Sequence, residues 1–157
     1  MPEGHTLACF DGAALSTGLC CGAGGFFKSH HSRITKWFLN CGSGSNTKAE
    51  LMGLWATLSL ACSWSISHLM VRGDSSVIID WINKKTELHS VQIEGWKQKT
   101  LDLSERFISL NCQHFSRSFN HEADALYKRS LSELAGELSI FHCDYGTESP
   151  ISVINIF

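Results

Sequence analysis

Apolar positions come first in short clustered runs and later at helical spacing, and the change of period organises the chain. Leu7 to Phe10 is a brief apolar run closed by Asp11 and Gly12, and Gly24 to Lys28 and Ile34 to Leu39 are two more, separated by polar turns. Three consecutive strands with short connections predict an antiparallel meander. From Thr47 to about Cys62, Met52, Trp55, Leu58 and Cys62 recur at helical spacing with no proline, which predicts the first long helix. Ser67 to Arg72 reads as a strand ending in Gly73 and Asp74, and Val77, Ile78, Trp81 and Ile82 place a helix over Ser75 to Asn83. A second amphipathic segment runs through Trp96, Leu101, Leu103 and Phe107. Ile108 to Phe115 reads as strand again, and Asn120, a good helix cap, opens a last helix that carries Asp124.

This order of strands and helices predicts an α/β fold: a five-stranded mixed sheet, three strands antiparallel and the last two parallel, with helices on both faces. The 157 residues need only one domain. We expect residues 1–6 to be a leader, 7–135 the domain, and 136–157 an apolar tail that packs on it or frays. With 43% hydrophobic and 18% charged residues the composition is that of a globular chain. No apolar run is long enough for a membrane helix and no signal core opens the chain, so the expected location is intracellular, nucleus or cytoplasm, without secretion. Seven scattered cysteines read as reduced thiols. A zinc site from Cys20, Cys21, Cys41 and His30 or His31 is the weaker reading, because adjacent cysteines lack the usual ligand spacing. A net charge of −2 argues against a large non-specific nucleic-acid footprint.

The chemistry lies in four acids at element ends. Asp11 ends the first strand, Glu50 lies in the first turn of the first helix, Asp74 ends the fourth strand, and Asp124 lies in the first turn of the last helix. In sheets of this kind ligand sites gather at the carboxyl ends of strands. A single acid after a strand is usually a cap or a surface charge. Four acids converging on one cleft would repel one another, and hard divalent cations, Mg²⁺ or Mn²⁺, relieve that repulsion. Two such ions about 3.5 to 4 Å apart suit phosphodiester hydrolysis.

The ordered set CFDGA, GAGGFF, SNTKAELMGLWATL, RGDSSVIIDWI and HFSRSFNHEADAL, from about Leu7 to Leu134, resembles the ribonuclease H family. The similarity is greatest to the ribonuclease H domain of reverse transcriptases in plant non-LTR retrotransposons. The resemblance implies a ribonuclease H-like fold and an endonuclease that cuts the RNA strand of RNA·DNA hybrids during reverse transcription. It implies metal ligands at Asp11, Glu50, Asp74 and Asp124, with two ions per site, and an assisting histidine at His114, with His121 as competitor. It further implies backbone contacts from Gly12 and Ala13 and hybrid contacts from Asn46, where Thr47 replaces the family's second asparagine and could instead cap the helix. Asn120 is the family's asparagine before the last aspartate. The lysines Lys84, Lys85, Lys97 and Lys99 could bind phosphates and Trp96 could stack on the DNA strand, although such a helix more often buries its tryptophan. Expected partners are the hybrid and the reverse transcriptase part of one polyprotein, with the isolated domain a monomer. GAGG at Gly22 to Gly25 lacks the Gly-Lys-Ser/Thr ending of a phosphate loop and reads as close packing in the second strand. A non-catalytic hybrid-binding or interaction module is the alternative function.

Overall fold

The computed structural model describes residues 5–15, 17–29, 33–116, 120–144 and 146–157, with the backbone alone at residue 91. Strands β1 (Thr6–Ala14), β2 (Cys21–Lys28) and β3 (Ile34–Gly42) form the expected antiparallel meander. Helix α1 (Asn46–Ser63) leads to β4 (His68–Gly73), which lies parallel to β1. Helices α2 (Ser76–Ile82) and α3 (Glu94–Ser104) precede β5 (Ser109–His114), parallel to β4. Helix α4 (His121–Ser130) follows. The chain then forms two strands that the sequence reading did not separate, β6 (Glu137–Asp144) and β7 (Thr147–Asn155).

The sheet therefore has seven strands, not five, in the order β5-β4-β1-β2-β3-β6-β7. The tail from residue 136 packs on the domain by strand pairing: β6 pairs antiparallel with β3 from Ile34↔Cys143 to Leu39↔Leu138, and β7 completes a hairpin with β6. The physical reason lies in alternation. Leu138 and Ile140 are buried in the main core, whereas Phe141, on the opposite face of β6, packs with Phe38 and Leu126 in a separate cluster under α4.

Two layers cover the sheet. On one face α1 is buried over most of its girth, with Leu51, Met52, Leu54 and Leu58 inaccessible against Phe10, Trp37 and Leu39. On the other, α4 lies directly on β2. A Cβ on Gly24 would sit 2.5 Å from the Leu126 Cβ and the Tyr127 amide nitrogen, and one on Gly22 would strike the Ser130 hydroxyl. The GAGG run is thus close packing, as its sequence suggests. Arg129 fastens α4 to the hairpin: its guanidinium lies 4.8 Å from the Phe38 ring centre and 4.9 Å from that of Phe141. The same group binds both carboxylate oxygens of Glu148, at 2.9 and 3.4 Å. Among the described residues no helix is long and apolar enough to cross a membrane.

Candidate active site

The four acids gather at one end of β1 and β4, each placed by a local feature. Asp11 does not end its strand, because β1 continues to Ala14, paired with β2. It is 1% exposed and stands beside Gly24 in the β1–β2 register, so the missing side chain of Gly24 both admits α4 and leaves Asp11 beneath that helix. Gly12 serves the opposite face. A Cβ there would lie 2.6 Å from the Ala49 carbonyl and 2.8 Å from the Glu50 amide nitrogen, so α1 brings Glu50 against the residue that follows Asp11. Phe10 is in register with Gly73, which sets Asp11 and Asp74 one residue beyond a paired position on adjacent parallel strands. Asp124 is the fourth residue of α4.

Helix ends are held by other residues than expected. Ser45, not Thr47, caps α1: its hydroxyl accepts from the Lys48 amide at 3.2 Å, and Thr47 is the second residue of the helix. Asn120 occupies the cap position of α4 without a side-chain cap bond, because its carboxamide instead donates to the Phe10 carbonyl at 2.8 Å. That bond ties the start of α4 to the strand that carries Asp11. Sequence spacing alone assigns Asn120 to its own helix; only the strand's position reveals the better acceptor. Asn46 Oδ1 accepts from the Ala14 amide at 2.7 Å, which aims the amide protons of Asn46 away from β1. Beyond Phe10, β1 no longer pairs with β4, so Gly12 and Ala13 run along this end of the sheet without a ladder on that side.

His114 ends β5 beside Gly73, and its Nε2 lies 3.2 Å from the Asp74 carbonyl oxygen. It is exposed at the edge of the acid group, whereas His121 is the first residue of α4. Trp96 is half-buried: the Trp55 ring is 5.1 Å away, Phe157 6.3 Å, and the Lys99 ammonium sits 4.5 Å over its face. Its ring is engaged in packing α3 on α1. Cys21 and Cys41 share a thiol hydrogen bond that lowers the first and raises the second, and Cys20 Sγ lies 3.7 Å from the Asn40 amide. The histidines considered with them, His30 and His31, fall outside the described residues.

One participant escaped the sequence reading. Lys128 Nζ forms an ion pair with Asp124 Oδ2 at 2.9 Å, and its pKa is raised by that hydrogen bond and charge, with a smaller contribution from Asp11. The signal was present, since Lys128 stands one helical turn after Asp124. Among the described residues no three acidic, histidine or cysteine side chains close tightly enough to clasp an ion. Like charges stay apart unless a cation offsets them, and Lys128 offsets the charge of Asp124. The donor set still suits a hard divalent ion, carboxylate oxygens only and one of them from a buried aspartate, although Asp11 lies inside β1 and Glu50, the fifth residue of α1, lies past the expected first turn, while Asp74 follows β4 and Asp124 is in the first turn of α4.

Comparison with known proteins places the fold and the family. No curated protein matches the sequence. Among solved structures, the ribonuclease H1 of the halophilic archaeon Halobacterium salinarum superimposes with a TM-score of 0.76 at 23% identity, over 83% of this chain and 99% of that one. LC11-RNase H1, solved in complex with an RNA/DNA hybrid, gives 0.72 at 19% identity over 80% and 96%. The protease–reverse transcriptase of prototype foamy virus gives 0.64 at 14% identity, over 82% of this chain and 21% of that one. These likenesses establish a ribonuclease H-like fold. The reverse transcriptase-like family profile matches residues 10–130, which span β1 to the end of α4 and hold all four acids, and the chain belongs to that family.

Proposed function

We propose that this chain is an endonuclease that hydrolyses the RNA strand of RNA·DNA hybrids in the course of retroelement reverse transcription. The observation that carries the reading is the placing of Asp11: a buried carboxylate under α4, with Asp74 just past the end of the adjacent strand, Glu50 on the abutting helix turn and Asp124 above. Asp11, Glu50, Asp74 and Asp124 would hold Mg²⁺ or Mn²⁺, two ions when loaded. When bound, such ions activate the attacking water and stabilise the departing oxygen.

The chain's own residues supply the rest. Asn46, its carbonyl oxygen committed to Ala14, offers its amide protons to a ribose 2′-hydroxyl, the group that separates RNA from DNA. Gly12 and Ala13 lay their backbone along the same strand. His114, exposed beside Asp74, can take up or return a proton at the water or the leaving 3′-oxygen. Attack at phosphorus breaks the P–O3′ bond and leaves a 5′-phosphate and a 3′-hydroxyl. Asn120 holds α4 to β1 and so fixes the distance between Asp124 and Asp11. Within a polyprotein, a reverse transcriptase would deliver the hybrid.

A second reading, a hybrid-binding or interaction module without cleavage, draws on the Lys128–Asp124 ion pair, which neutralises one of the four acids. One experiment separates the two. Asp74→Asn keeps size and removes the charge; we expect hybrid cleavage to fall below about a thousandth of the unaltered rate, with hybrid binding retained. Cleavage that survives in Asp74→Asn would refute the assignment of the site.

A further inference from the structure

Helix α4 covers β2 and β3 but leaves the β4 side of the same sheet face uncovered, and there the strands floor a cleft of about 220 Å³. Leu7, Cys9, Phe26 and Ile34 make its apolar base. Arg72 enters from β4, in register with Cys9, and Lys28 and Glu122 stand at the rim.

Arg72 is the anomaly. A guanidinium carries five N–H donors and, when half-buried, normally meets a carboxylate or several carbonyls. Here its Nε is buried without a hydrogen bond, and among the described residues its single acceptor is the Met70 thioether, 3.9 Å from Nη2. Among the described residues no acid pairs with it; Glu122, the acid that lines the cleft, lies 4.0 Å from Lys36 instead. The Phe115 ring, 4.8 Å from the guanidinium carbon, holds the fork in one plane. A planar, oriented fork with vacant donors matches a two-oxygen anion. Lys28 adds a second positive charge on the same rim, and the apolar base has no charge of its own to satisfy.

We infer that this cleft is a binding site for a phosphate monoester carried on a flat apolar body, that is, a nucleotide, with Arg72 and Lys28 on the phosphate and the Leu7, Phe26 and Ile34 surface under the base. The site is separate from the four acids: Asn120 stands between them, its amide committed to the Phe10 carbonyl. The inference holds whether or not the chain cleaves hybrids.

The test is a titration of the whole chain in EDTA, with AMP as the probe, followed by the ¹⁵N–¹H resonance of Arg72 Nε. Without divalent ions the four acids repel phosphate, so binding near them is suppressed. We expect that resonance to shift saturably, adenosine to leave it in place, and inorganic phosphate to bind at least about tenfold more weakly than AMP. Followed on the backbone amide of Cys9, Arg72→Gln should weaken AMP binding by about tenfold or more, Lys28→Gln by a smaller factor, and Glu122→Gln should strengthen it. Lys28 is exposed, so its variant keeps the measurement decisive if Arg72→Gln fails to fold. A 5′-phosphorylated trinucleotide that binds as AMP does, while its unphosphorylated form does not, would assign the cleft to strand ends; AMP binding alone would assign it to free nucleotides. No shift up to about 10 mM AMP, equal affinity for inorganic phosphate, or unchanged affinity in both Arg72→Gln and Lys28→Gln would overturn the inference.

Discussion

A methyl group added at Gly24 would meet α4 at 2.5 Å, at both the Leu126 Cβ and the Tyr127 amide nitrogen, with backbone on one side and a packed side chain on the other. Neither can give way without lifting the helix. Gly24→Ala should therefore cost about 1–3 kcal/mol in urea unfolding and should depress any activity that needs Asp124 above Asp11. Residue 112 makes a prediction of a different kind. Burial pushes the Cys112 thiol up to about 12 from its ordinary 9.0. The unfolded chain releases that proton near 9 and the folded chain holds it to about 12, so the unfolded state binds fewer protons in between and stability falls as pH rises through that window. The slope is about 1.4 kcal/mol per pH unit for each such thiol. Cys112→Ala should flatten the loss of stability between about pH 9 and pH 11 by that amount, measured by urea midpoints; an unchanged slope would place the thiol in water. Spacing near element ends singled out the acids, although Asp11 lies inside β1 and Glu50 past the first turn of α1, yet it could not announce Asn120's partner. A carboxamide at a helix start looks like a cap until the Phe10 carbonyl, 110 residues away in sequence, is brought to it.

Among elements, α4 and the β6–β7 hairpin form the pair that decides the geometry of the site. The helix carries Asp124 near its start and Arg129 near its end, and Arg129 is held by Phe38, Phe141 and Glu148. Phe141→Ala should cost about 3–5 kcal/mol as a core truncation. Glu148→Gln, with its carboxylate exposed, should cost little stability. If the hairpin positions α4, Phe141→Ala should also raise the Mn²⁺ concentration needed for half-maximal hybrid cleavage while Glu148→Gln leaves it nearly unchanged. Equal metal requirements in both variants and the parent would make the hairpin a stabiliser only. The meander, α1 and the parallel pair were legible because their apolar periods are local. The hairpin was not, since a strand's partner is a non-local fact and nothing in residues 140–157 names β3. Alternation within β6 is regular, Leu138 and Ile140 facing the main core and Phe141 the opposite face, and the register shift at Ile140/Phe141 puts its extra residue, Ile151, in β7.

At the scale of the whole molecule, the family match ends at residue 130, before the hairpin begins, so the seven-stranded sheet is a family core with an added edge. Net charge is −2, and the lysines near α3 are partly engaged, Lys97 with Glu94 and the Leu88 carbonyl and Lys99 over Trp96. The isolated chain should accordingly bind hybrids weakly, with affinity falling about tenfold or more between roughly 50 and 200 mM salt. Fluorescence anisotropy with a labelled hybrid measures this directly, and tight binding that ignores salt would require a different surface. What unites the scales is the claim that four acids on four elements act on an RNA strand paired with DNA. The most direct measurement is cleavage of an end-labelled RNA·DNA hybrid, set against matched RNA duplex, DNA duplex and single strands, in Mg²⁺ and then Mn²⁺ at low salt. The account predicts cutting of the hybrid's RNA strand alone, with 5′-phosphate ends, lost in Asp74→Asn. A folded chain that cuts none of these substrates in either ion, or cuts them all alike, would contradict it.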